Sequence, residues 1–174
     1  MRETHPESPP TRTVAVIGSF KQFYPEVLAA RQAFEEVGLM VTSPAGTAIL
    51  QPDIDFVRFA SDDVRAEDHL VQTRTLALIL RSDAVFVVAP EGYIGRTTCY
   101  EVGRVRQAHV PLYFSEHPRD LPILVPPSQV VSAPELAHRL SQAPPQSWNY
   151  SDEGEASEIE MSLLGVSKAR HEPG

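Results

Sequence analysis

Apolar residues in this chain fall in short unbroken runs separated by longer amphipathic stretches, a pattern that predicts alternating strands and helices. Residues 13–17, Thr-Val-Ala-Val-Ile, form a β-branched run stopped by Gly18 and Ser19, which suits a buried strand. Between 24 and 37 the apolar side chains Val27, Leu28, Ala30, Phe34 and Val37 trace one helical face. Pro25 suits the first turn of that helix and Gly38 its stop. Residues 39–42 read as a second strand, giving a β-α-β start with connections of the length a parallel sheet needs. Residues 64–80 carry Leu70, Val71, Leu76, Ala77, Ile79 and Leu80 as a second helix. The most apolar run, 83–89, predicts a central strand. Beyond it come a helix over 97–109, a strand over 110–114, a further strand over 121–125 and a terminal helix over 135–140. Pro44, Gly46 and Pro52 punctuate the less regular stretch 43–63, which predicts a short hairpin or lid over the sheet edge.

This order of elements predicts a single α/β domain, Rossmann-like, with a doubly wound parallel sheet and disordered tails. Residues 1–12 form the lead, 13–143 the domain and 144–174 an acidic polar tail containing Asp152, Glu153, Glu155, Glu158 and Glu160. Ligands of such sheets bind at the carboxyl ends of the strands, where strand order reverses. Two glycine-bearing loops qualify by position: Gly18-Ser19-Phe20-Lys21 after the first strand, and residues 90–95 after the central one.

Composition narrows the function. A net charge of −8 argues against non-specific nucleic-acid binding, which needs cationic surface to displace phosphate counterions. It leaves room for a small phosphorylated ligand in a locally positive pocket. One cysteine, Cys99, excludes an internal disulfide and a Cys-based zinc cluster, and the six histidines lack zinc-ligand spacing. No metal or cofactor is expected. No apolar run approaches the roughly 20 residues that span a bilayer, and residues 1–12 lack the apolar core of a signal peptide. The expectation is a cytoplasmic protein without membrane contact.

The candidate chemistry lies in the two loops. Gly18 and Ser19 lead toward a helix N-terminus, where backbone N–H groups favour an anion; Ser19 adds a hydroxyl and Lys21 a charge. The plainer account is a glycine that lets the strand turn, with Ser19 as a cap. In the second loop, Gly92 and Gly95 permit close backbone approach, and Tyr93 offers a ring for a base or sugar. Thr97, Thr98 and Glu101 follow at the helix start. A carboxylate there, facing a cleft, can attack an anomeric carbon. The plainer account is a capping box, since Thr98 and Glu101 have its spacing.

Residues 82–105, SDAVFVVAPEGYIGRTTCYEVGRV, resemble the nucleoside 2-deoxyribosyltransferase family and its nucleotide N-hydrolase relatives. The shared pattern is an apolar strand opening with Asp83, a glycine-bearing loop and Glu101-Val102-Gly103 on the next helix. The first strand and its Gly18-Ser19-Phe20 end resemble the family's substrate loop. The resemblance implies a flavodoxin-like fold and a homodimer or higher homo-oligomer whose neighbours complete each pocket. It also implies cleavage of an N-glycosidic bond, with Glu101 at the nucleophile position attacking C1′ of a nucleoside or nucleotide. Asp83, Thr97, Thr98 and the glycine loops would then contact substrate. The family usually carries an Asp where this chain has Thr75, and another where it has Gly95. Asp62, Asp63 and His69 are the groups available to take over acid–base work. The alternative function is a nucleotide-binding sensor or accessory domain that keeps the pocket without turnover.

Overall fold

The structure, a computed structural model, describes residues 11–44, 66–148 and 154–165. Within these, β1 (Thr13–Gly18), α1 (Tyr24–Glu36), β2 (Met40–Ser43), α2 (Asp68–Arg81), β3 (Ala84–Val88), α3 (Arg96–Gln107), β4 (Leu112–Phe114), α4 (Ala133–Gln142) and α5 (Glu155–Leu163) follow in order. The strands make a four-stranded, all-parallel sheet in the order β2-β1-β3-β4, the flavodoxin-like arrangement. Val14 to Gly18 run in register beside Ala84 to Val88.

Alternation along the strands builds the two layers. Val14 and Val16 of β1, with Ala84, Phe86 and Val88 of β3, face α1 and α4, where Val27, Phe34, Leu136 and Leu140 close the core. Ala15 and Ile17, with Val85 and Val87, face the other way onto Ile79 of α2 and Val102 and Val105 of α3. A central strand coated on both faces must be apolar at every position, which is why residues 84–88 are an unbroken apolar run. Each such side chain contributes roughly 1.5–3 kcal/mol by leaving water.

Three expectations change. Residues 121–125 form no strand; Pro122, Pro126 and Pro127 deprive this stretch of ladder donors. Val130 instead makes an isolated parallel bridge to Phe114, and the Val131 N–H donates to the Phe114 carbonyl at 2.9 Å. The tail is not loose throughout. Trp148 donates its indole N–H to the Leu112 carbonyl at 2.6 Å beneath Arg106, and α5 returns Glu160 to Arg106 at 3.4 Å. Burial of an indole under a cation outweighs the polar composition around it. The second helix begins at Asp68 rather than at 64. Most of the hairpin or lid over 43–63, with Asp62 and Asp63, and nearly all of the 1–12 lead lie outside the described residues.

Candidate functional site

The strand order reverses between β1 and β3, and both glycine loops leave the sheet there. Gly18 is needed for packing: a Cβ on it would lie 2.8 Å from the Val88 carbonyl oxygen on the neighbouring strand. The chain then turns tightly, with the N–H groups of Gln22 and Phe23 donating to the Ser19 carbonyl at 3.1 and 2.8 Å. This delivers the Phe23 ring to 5.9 Å from the Tyr93 ring. On the other loop, a Cβ built on Gly95 would lie 3.8 Å from Ser19 Cβ. Ser19, Tyr93 and Gly95 therefore form one surface, with Tyr93 38% exposed.

The second loop is held from below. Gly92 sits at φ +78°, and a Cβ there would come within 2.7 Å of the His117 carbonyl oxygen. Its own N–H donates to Ala89 and its carbonyl accepts from the Arg119 N–H, both at 2.9 Å. Asp120 accepts from the Ile94 N–H at 3.2 Å and, more weakly, from the Gly95 N–H at 3.5 Å. Gly95, at φ +82°, then starts α3 with no side-chain cap.

Because α3 begins at Arg96, Thr98 is its third residue and cannot be the cap; the capping-box account fails. Glu101 instead lies one turn further on, only 6% exposed, and points its carboxylate at α2. Gln72 Nε2 donates to Glu101 Oε1 at 2.9 Å. Burial pushes the Glu101 carboxyl up to about 7, with the Gln72 amide pulling the other way. An open groove of about 360 Å³ runs between the two helices, lined by Asp68, His69, Gln72, Arg96, Thr97 and Tyr100. His69 Nδ1 stands 3.2 Å from Glu67 Oε2 at its rim. Glu101 lies six positions beyond Gly95 along α3, a rise of about 9 Å, so the loop surface and the groove meet along the first turns of one helix.

Other residues singled out from the sequence lie elsewhere. Asp83 is at the amino end of β3, opposite the loops, where its Oδ2 accepts from the Thr13 N–H at 2.7 Å and the Thr13 hydroxyl at 2.8 Å. It ties two strands together at the end of the sheet away from the loops. Phe20 packs on the core between the sheet and α1. Gly92 has both backbone groups engaged by protein, so its close approach is to residues 117–119. Thr98 is buried within α3, Thr97 lines the groove, and Lys21 is exposed on the β1 turn. Burial, and then the Asp120 charge, push the Cys99 thiol up, making it a poor nucleophile.

Sequence reasoning missed Gln72 and Asp120. Gln72 could have been found, because it is the polar member of the stripe Gln72, Leu76, Ile79 on the inward face of α2. Nothing local marks Asp120, which reaches its partners across 26 positions. Among the described residues no group of His, Cys, Asp and Glu could hold a metal ion, and no helix is long and apolar enough to cross a membrane. Comparisons with family models, curated proteins and solved structures find no match for this chain. The resemblance of residues 82–105 thus remains a likeness of motif and spacing.

Proposed function

We propose that the chain cleaves the N-glycosidic bond of a nucleoside or nucleoside 5′-monophosphate, by hydrolysis or base exchange, with Glu101 as nucleophile. The observation that carries this reading is a buried carboxylate, pinned through one oxygen by Gln72, beside a groove near the switch point of a parallel sheet. Structural carboxylates are rarely buried without a cation, and those with pKa values shifted toward neutrality cluster at functional sites. In the proposed step a Glu101 oxygen bonds to C1′ while the C1′–N electron pair leaves with the base. The base nitrogen takes a proton from His69, which lines the groove. Water or a second base then attacks C1′, expelling the Glu101 carboxylate; in hydrolysis the water proton returns to the imidazole. Tyr93 offers the ring face for stacking, and Ser19 with Lys21 offers polar contacts to sugar or phosphate. Completion of the pocket by a second copy of the chain belongs to the same proposal.

The test is chromatographic detection of free base from a panel of nucleosides and 5′-monophosphates, with Glu101→Ala and His69→Ala alongside. Glu101→Ala is expected to lose roughly 10⁴-fold in rate, as when other covalent nucleophiles are removed. The acidic limb of the wild-type pH–rate profile should follow the ionisation of Glu101, near 7. Release by Glu101→Ala at the wild-type rate would reject the nucleophile. A second reading, a nucleotide-binding domain without turnover, is favoured by the burial of Glu101, which pushes its carboxyl up to about 7 and suits a protonated, merely structural side chain. Ligand-induced thermal stabilisation with no base released from any panel member would select it.

A further inference from the structure

The pairing of α2 with α3 carries a second assignment, resting on Glu101 as the nucleophile. We infer that Gln72 is the positioning residue of the site: its amide N–H holds Glu101 Oε1, fixing the carboxylate in one orientation and favouring its ionised form. Three observations converge. Gln72 Nε2 lies 2.9 Å from Glu101 Oε1 and is the hydrogen-bond partner of that carboxylate among the described residues. Gln72 stands on the stripe with Leu76 and Ile79, both buried, and Ile79 belongs to the core against the sheet, so the backbone position of Gln72 is fixed by packing. It also lines the groove, so that it stands between the open volume and the buried carboxylate it holds.

Chemistry makes the residue type matter. A side-chain amide donates to a carboxylate but cannot take up or release a proton near pH 7, so it stabilises the anion without titrating itself. A carboxylic acid there would compete for the proton, and an apolar residue would take from the buried anion its donor among the described residues. Gln72 thus offsets part of the burial that drives Glu101 toward its neutral form. The other ionisable groups around the groove are Asp68 and His69 on α2 and Arg96 and Tyr100 on α3. The sheet side presents the apolar Val85, Val87 and Ile17. Asp120 acts on the Ile94 N–H and on Cys99, and not on Glu101. Of these groups, Gln72 is the one that lowers the Glu101 carboxyl.

The experiment uses the full chain with Gln72→Met, which keeps length and removes the donors, and Gln72→Glu, which keeps shape. Thermal melts establish that each folds. The Glu101 titration is followed by carboxyl carbon NMR, assigned with Glu101→Gln, beside the pH profile of base release. Gln72→Met should move the Glu101 midpoint upward by about one pH unit from about 7. The acidic limb of base release should shift by the same amount, lowering the rate at pH 6 roughly tenfold. Gln72→Glu, adding a like charge, should move the midpoint at least as far. A folded variant whose Glu101 midpoint and pH profile match wild type would overturn the assignment, whether or not the enzyme reading survives. A moved midpoint in a chain that releases no base would uphold the hold of Gln72 on Glu101 and end the catalytic reading. A moved midpoint with unmoved kinetics would reject the positioning role.

Discussion

Beyond each end of β3 the chain carries a carboxylate, and the two have opposite surroundings. At the amino end Asp83 is exposed and satisfied locally by the Thr13 N–H and hydroxyl on the adjacent strand. At the carboxyl end Glu101 is set back by a loop and one and a half helical turns, buried, and met among the described residues by one neutral amide from another helix. Strand-to-strand pairing leaves donors free at sheet ends, so an Asp there finds partners without leaving water. The carboxyl end is where helices turn inward, and a carboxylate carried there loses water before it gains a partner. Burial separates the two: Asp83 keeps its contact with water, whereas Glu101 has lost it and its carboxyl is pushed up to about 7.

The largest expected effect that sharpens this contrast is in stability against pH. The folded pKa of Glu101, about 7, lies above its ordinary value of 4.5, so the native state holds the proton more tightly. That contribution is fully present below pH 4.5 and is lost as pH rises through about 7. Relative to wild type, Glu101→Gln should therefore gain about 3 kcal/mol between pH 4 and pH 8, measured by denaturant unfolding at each pH. A flat difference would place Glu101 in water and break the comparison.

Next in size is Gly92→Ala, which probes how rigidly the carboxyl-end loop is held. A methyl there meets the His117 carbonyl oxygen at 2.7 Å and needs φ +78°, so a loss of roughly 2–3 kcal/mol is expected by thermal or chemical unfolding. A loss below half a kcal/mol would mean that the loop yields. Smallest is Asp83→Ala, which removes two hydrogen bonds at an exposed strand end and should cost about 1 kcal/mol. Base release per folded molecule should be unchanged. A catalytic defect in Asp83→Ala would return that residue to the site and erase the distinction between the two ends.

The layout of the sheet was readable because parallel strands buried on both faces must be apolar throughout. Residues 13–17 and 84–88 show this with nothing else consulted. Helix α1 was equally plain, since Val27, Ala30 and Phe34 repeat at the helical period and are the residues it buries. The strand expected at 121–125 misled because apolar content was weighed without the donors that its prolines remove. Within the site, the local sequence distinguished neither Asp83 from Glu101 nor a capping box from a buried carboxylate. Both pairs differ in what approaches from distant parts of the chain.

By itself the sequence determined the order of elements, the parallel sheet, the position of its two glycine loops and the presence of a glutamate early in α3. These follow from periodicity and backbone freedom, which act over a few residues. Tertiary structure alone decided that α3 starts at Arg96, that Asp120 clamps the loop ahead of it, and that Gln72 meets Glu101 across 29 positions. It also decided that Trp148 docks under Arg106 on the last strand. Those outcomes depend on desolvation and on partners brought together by the packing of α2 and α3 against the sheet, quantities no local pattern encodes.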